Sequence, residues 1–240
     1  MKKLIESLLT STAIFLFAVL AFALSAGAVT INVNLGNAGG TNALNGSAYM
    51  TGGFAQAPFS YAGTAWNDVS ATPDYTNSAL LDSQGNATAA GFTTTSTTGA
   101  PSLQGPVFNA DHPNVPFLQG CVIRVAGSGS GNAMHNRFTI TGLTPGGLYH
   151  VIVVGCQQDT AAGQWGIGTA SVAPTSTKLI INTLPLHENW VANNNYALFY
   201  RVPADGSGNI YVWGKGQPGG GGYANGITLN GFQIVNAADL

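Results

Sequence analysis

Hydrolytic chemistry needs two acids that meet in a cleft, or a nucleophile beside a base. This sequence supplies acids and histidines, but no spacing that pairs them. Asp68, Asp74, Asp82, Asp111, Asp159 and Glu188 all fall on expected loops or strand ends, and no interval singles out two of them as a carboxylate pair. Asp82 and Asp205 stand in turn contexts, where an aspartate caps its own backbone. Asp111-His112 offers two members of a triad without a nucleophile motif. The Gly/Ser run 127–131 has the wrong phase for G-x-S-x-G and reads as a flexible hairpin loop. The phosphate-binding loop, the H-E-x-x-H zinc motif and the EF-hand loop are absent. His112, His135, His150 and His187 are scattered. His150, inside an apolar run, reads as a packed and hydrogen-bonded side chain rather than a metal ligand. The expectation is a protein that is not an enzyme and has no cofactor. A structural calcium ion held by loop carboxylates and carbonyls is compatible with the pattern, but no position for it is indicated.

The aromatic residues point to a different chemistry. Sugar rings stack on exposed Trp and Tyr faces while neighbouring amides bond the hydroxyls. Trp165 follows Cys156-Gln157-Gln158-Asp159 in a Gly-rich stretch. Trp190 stands beside Asn193-Asn194-Asn195, and Tyr223 follows four glycines. Trp165, Trp190, Tyr223 and Asn194 are therefore the candidate ligand-binding residues. Trp66 and Trp213 are assigned to the core.

Charge narrows the partners. Only 7% of residues are charged, against roughly 25% in ordinary soluble domains. Beyond Lys2 and Lys3 the basic residues are Arg124, Arg137, Lys178, Arg201 and Lys215. Such a surface has a weak field and will not steer a polyanion, so nucleic acid is not an expected partner. Neutral polysaccharide or further copies of the same chain suit it better. Sparse charge also leaves strand edges poorly protected against pairing.

The elements that must position these residues begin after a targeting segment. Lys2 and Lys3 precede an apolar run over 8–24, and Ser25-Ala26-Gly27-Ala28 offers an A-x-A cleavage site. The reading is a secretory signal helix over 1–28, a single β-sandwich domain over 29–240, export to the cell exterior and no membrane contact after cleavage. The organising stretch is Arg137 to Cys156. Phe138 and Ile140 alternate with polar neighbours, as in a half-buried strand. Thr144-Pro145-Gly146-Gly147 supplies a reversal, and Leu148 to Val154 is apolar on both faces apart from His150, as in a central strand. Tyr149, just past the turn, is placed to pack its ring while its hydroxyl bonds a nearby backbone carbonyl, in the manner of a tyrosine corner.

Other strands are expected at 29–35, 79–82 and 121–125, at 92–98 as a more exposed strand, and weakly at 167–172 and 178–181, while around 66–69 the chain is expected to re-enter the core. A hairpin is expected from 196–202 to 209–213, and one closing strand over 227–235. Residues 101–116 read as irregular. The total is about ten strands, an all-β antiparallel sandwich of jelly-roll type. Cys121 and Cys156 form a disulfide if export holds, closing a loop of about 34 residues worth ~3–4 kcal/mol. Two buried free thiols are the alternative.

Several short motifs together carry a resemblance. They are Val29-Thr30-Ile31-Asn32-Val33-Asn34-Leu35-Gly36, Trp66-Asn67-Asp68-Val69, Leu81-Asp82-Ser83-Gln84-Gly85-Asn86-Ala87-Thr88, the Gly142 to Tyr149 corner, and Leu229-Asn230-Gly231-Phe232-Gln233-Ile234-Val235. The chain resembles exported bacterial β-sandwich proteins similar to galactose-binding-like and carbohydrate-binding modules. The resemblance implies fold and export more than ligand. The tailed members carry a hydrophobic sorting segment; this chain reaches Asp239-Leu240 without one, so anchoring there is not expected. The function expected is a secreted, non-catalytic protein that binds neutral glycans or extracellular matrix. The alternative is a self-assembling subunit of a filament or surface layer, with the alternating strand at 29–35 as the donor to a neighbour's edge.

Overall fold

The structure is a computed structural model. It describes residues 30–36, 67–70, 76–77, 79–96, 103–108, 120–125, 136–155, 163–180, 192–193, 196–216 and 226–239. These are all-β. In chain order the strands are β1 (Thr30–Gly36), β2 (Asn67–Ser70), β3 (Thr76–Asn77), β4 (Gly91–Ser96), β5 (Leu103–Phe108), β6 (Gly120–Val125) and β7 (Asn136–Thr141). Then come β8 (Leu148–Val154), β9 (Gly163–Gly168), β10 (Lys178–Ile180), β11 (Tyr196–Pro203), β12 (Ile210–Gly216), β13 (Gly226–Leu229) and β14 (Gly231–Asn236). A short 3-10 turn, Ala237–Asp239, follows, and no α-helix occurs among the described residues. The expected signal helix and Trp66 lie outside them.

One sheet has the order β11-β8-β14-β1-β2 and a second the order β10-β9-β12-β7-β4-β3. A smaller sheet runs β13-β6-β5. Pairing is antiparallel except between β1 and β2. The two larger sheets share one apolar core, to which the first gives Ile31, Val33, Val151, Val153 and Phe232, and the second Phe92, Phe138, Ile140 and Val212. That arrangement is consistent with a β-sandwich. Phe232 stacks on Phe138 at 4.9 Å between ring centroids and meets Phe92 edge-on at 5.2 Å. The aromatic rings thus tie the sheets across the middle, where close packing is worth most.

Several expectations need correction. Among the described residues there are fourteen strands, against the ten or so expected. Residues 103–108 form β5 although Gly105 and Pro106 suggest irregularity; the ladder accommodates them with a register shift between Gln104 and Val107. The closing strand is two strands broken at Asn230. Residues 79–82 form only an isolated bridge, Leu81 to Ala87. The reason is that a side chain takes over the ladder there. Asn67 donates from Nδ2 to the carbonyls of Asn32 and Leu81, both at 2.9 Å, and accepts the Leu81 N–H at 2.8 Å. β4 is not an exposed strand either, since Phe92 and Thr94 are buried.

The largest correction concerns connectivity. β7 and β8 are not partners, and neither are β11 and β12. In each pair one strand lies in the first sheet and the other in the second. Each expected reversal is therefore a corner from sheet to sheet, and the two corners interlock. Leu143 N–H donates to the Gly208 carbonyl at 3.0 Å, Gly146 N–H to Ala204 at 3.2 Å, and Ala204 N–H to Gly147 at 2.9 Å. Tyr149 does brace its corner, but its hydroxyl accepts the Thr144 N–H at 3.0 Å instead of reaching a carbonyl.

Candidate functional site

The corner over 203–209 forms one wall of a cleft, and β12 explains how the other wall is held. Ile210 and Val212 face the core, so alternation sends Tyr211 and Trp213 to the opposite face of the second sheet. Trp213 is nonetheless buried, because the turn after β9 folds over it. Its Nε1–H donates to the Thr169 carbonyl at 3.0 Å. Within that turn Thr169 N–H donates to the Val172 carbonyl at 2.9 Å, and Val172 N–H returns to Thr169 Oγ1 at 3.1 Å.

Arg137 on β7 lies across both rings, with its guanidinium carbon 5.5 Å from the Tyr211 centroid and 5.6 Å from that of Trp213. Its Nη1 donates to the Ala170 carbonyl. A guanidinium over aromatic faces is attracted by their quadrupoles, so Arg137 fastens the 169–171 turn to the sheet.

Asp205 fastens the facing wall. Its Oδ1 accepts the N–H groups of Ser207 at 2.8 Å and Asn209 at 2.9 Å. Its Oδ2 accepts the Tyr211 hydroxyl at 3.0 Å and Asn209 Nδ2 at 3.4 Å. The Asn209 N–H, with these other donors, holds the Asp205 carboxyl below the usual range despite some desolvation. Burial, and then the bond to Asp205, push the Tyr211 phenol up. At neutral pH the pair is therefore a carboxylate and a neutral phenol, and neither is poised to move a proton.

The cleft between the walls has a volume of about 450 Å³. Ile167, Pro203, Ala204 and Ile210 give it an apolar lining, and Thr169, Ser171, Asp205, Asn209 and Tyr211 contribute polar groups. The Asn209 Oδ1 and the Ser171 hydroxyl have no partner among the described residues. The other acid whose side chain is described, Asp82, is held in its own turn by Gln84 and Asn86. No group of three His, Cys, Asp or Glu that could hold a metal ion occurs among the described residues.

The candidates read from sequence fare differently. Trp165 is not in a loop but in β9, 3% exposed, with its ring edge-on to Phe138 at 6.0 Å. Alternation through Gly163, Trp165 and Ile167 turns it into the core, where no ligand stacks on it. Trp190, Asn194, Tyr223 and Cys156 lie outside the described residues. Of Cys121 only the strand, β6, is described. His150 is buried and accepts the Arg201 N–H at Nδ1. Trp213 is buried as expected, but beneath the 169–172 turn rather than between the sheets. Sequence reasoning missed Arg137, Asn209 and Tyr211. The available signal was the alternation of Tyr211 with Ile210 and Val212, which puts Tyr211 and Trp213 side by side. Comparison with protein-family models and with curated proteins found no match.

Proposed function

We propose that this protein is a secreted, non-catalytic β-sandwich of jelly-roll type that binds neutral glycans in the cleft between the 169–171 turn and the 203–209 corner. The observation that carries the reading is the make-up of that cleft, an apolar lining with amide and hydroxyl groups and one carboxylate, Asp205, whose oxygens are already bonded within the fold. A sugar ring is its complement, with C–H faces to cover the lining and hydroxyls to meet Asn209, Ser171 and Tyr211. The volume suits a small ligand, since such sites run from roughly 300 to 1,000 Å³. Asp205 supports binding over hydrolysis, because its carboxylate is already occupied and no second acid is described beside it.

The self-assembly reading has less in its favour. β1, its expected donor strand, is paired on both sides inside a sheet. β11, an edge strand, is broken by a register shift and ends in Pro203, features that discourage edge pairing.

The test is calorimetric titration of the purified protein with a panel of neutral oligosaccharides. Binding by at least one of them is expected, weakened about thirtyfold in Asn209→Ala with Ser171→Ala, as loss of two hydrogen bonds at about 1 kcal/mol each implies. Absence of binding across the panel at millimolar concentration, or an unchanged affinity in the double variant, would overturn the reading.

A further inference from the structure

β11 carries a second arrangement that the cleft does not use. Its pairing with β8 shifts between Phe199 and Val202, so Tyr200 and Arg201 together oppose the single residue His150. Alternation slips by one, and two consecutive side chains are exposed. Tyr200 is 63% exposed, whereas every other aromatic ring described is buried or half-buried. Arg201 has φ 50°, in the left-handed region that penalises any residue with a Cβ. The bulge is braced from beneath. Arg201 N–H donates to His150 Nδ1 at 3.3 Å, and the buried imidazole meets the Tyr200 ring edge-to-face at 5.5 Å. Glycine would suit this backbone better, so what the position gains from arginine is its side chain. Strain maintained by a buried partner is a pointer to function.

Among the described residues the Arg201 guanidinium has neither a carboxylate nor a hydrogen-bond partner. Lys178 stands on β10, the edge strand of the second sheet, with its Nζ 5.9 Å from the ring centroid of Phe199. It too has no carboxylate partner among the described residues. An exposed cation thus stands beside an exposed phenol on one bulge, in a protein where only 7% of residues are charged.

We propose that the β11 bulge is a recognition site for a carboxylate-bearing sugar, with Arg201 taking the carboxylate in a bidentate grip and Tyr200 covering the ring face. A neutral sugar would leave the guanidinium unused, and a nucleic acid calls for a far broader basic field. The site shares β11 with the cleft, but it stands on separate side chains and does not depend on the glycan reading made there.

The test titrates the purified protein with trigalacturonate, with maltotriose and a short polyglutamate as comparators. Trigalacturonate is expected to bind about tenfold more tightly than either, with an affinity that falls as salt is raised. Arg201→Gly, which the left-handed backbone accommodates, is expected to lose about tenfold in uronate affinity with an unchanged or raised Tm. Tyr200→Ala is expected to lose uronate affinity as well. Equal binding of polyglutamate overturns the sugar assignment, and wild-type uronate affinity in a folded Arg201→Gly overturns the site. Neutral-sugar affinity is read in the same variants. Its retention beside lost uronate binding supports a separate site, and parallel loss of both refutes one.

Discussion

Replacing Gly85 and Gly208 by alanine, one at a time, separates two costs within a single turn shape. Asp82-Ser83-Gln84-Gly85-Asn86 and Asp205-Gly206-Ser207-Gly208-Asn209 share the pattern Asp-x-x-Gly-Asn. In both, the Asp N–H donates to the Asn carbonyl, at 2.9 and 2.8 Å, and the Gly N–H to the Asp carbonyl, at 2.9 and 3.0 Å. The glycines have φ 85° and 78°, where alanine costs about 1–2 kcal/mol. At Gly85 an added Cβ meets nothing within 4 Å, so the conformational cost is the whole effect. At Gly208 the Cβ would lie closer than 3.0 Å to the carbonyl oxygen of Leu143. That residue cannot retreat without opening its own N–H bond to Gly208. Overpacking adds about 1–3 kcal/mol, and the lost corner bond about 1 kcal/mol. The total for Gly208→Ala is about 3–6 kcal/mol, against about 1–2 kcal/mol for Gly85→Ala. In a chain of this size each kcal/mol moves Tm by roughly 2–4 °C. Scanning calorimetry should therefore show a loss several times larger for Gly208→Ala. Equal losses would refute the claim that the two sheet-to-sheet corners interlock.

Phe232→Ala should destabilise by about 3–5 kcal/mol in chemical denaturation, because it removes the ring that joins Phe92 to Phe138; a loss under 1 kcal/mol would show that the sheets do not meet there. Burial, and then the charge of Arg201, push the His150 imidazole below its ordinary value. The unfolded chain therefore takes the proton first, and the stability from the neutral ring is full above about pH 6.5 and declines as pH falls toward the folded value. His150→Gln should flatten the Tm profile in that window, and an unchanged slope would count against a buried neutral ring. The Asp205 carboxyl is lowered chiefly by the Asn209 N–H. At Asp82 burial pulls upward, and bonds from Asn86, Gln84 and Gly85 outweigh it. Both contribute stability that is present above about pH 3.9 and lost as pH falls through their folded values, so the double change to Asn should shrink the acid limb of the Tm profile. An acid limb of the same depth would place the loss elsewhere.

What the sequence made legible was local. The alternation of Ile31 and Val33, of Phe138 and Ile140, and the two-sided apolar run of Leu148 to Val154 each named a strand correctly. Asp82 and Asp205 announced their turns, since an aspartate three residues before a glycine has a fixed use. Sheet membership was not legible. Thr144-Pro145-Gly146-Gly147 reads equally as a hairpin or a corner, and only the bonds from Leu143 and Gly146 to the 204–208 segment decide between them. The same holds for Trp165. Its glycine neighbours suggest a loop, but glycine at 163, 166 and 168 serves strand β9, and the phase set by Ile167 turns the indole inward. Asn67 hid its role for another reason, because nothing in its type announces that a side-chain amide will stand in for a peptide group. Arg137 was invisible as a site residue because its partners Tyr211, Trp213 and Ala170 are distant in sequence and meet only when β9, β12 and β7 lie side by side.

Scarcity of charge makes the disposition of each charged group informative. Asp205 is occupied by its own turn and by the Tyr211 hydroxyl. Arg137 lies across the other side of the same tyrosine and is bound to a carbonyl. Asp205 borders the cleft, but its carboxylate, like the Arg137 guanidinium, is committed to holding the walls, and a ligand there meets mainly amide, hydroxyl and hydrocarbon. Arg201 has the opposite arrangement. Its backbone is held in an unfavourable conformation by His150, while its guanidinium has no protein partner among the described residues. A structural arginine would show the reverse, with relaxed φ and a guanidinium engaged by the fold, as Arg137 is by the Ala170 carbonyl and two rings. The contrast between these two arginines, set in the same sandwich and against the same sparse background of charge, is the physical reason to assign neutral ligands to the cleft and an acidic one to the bulge.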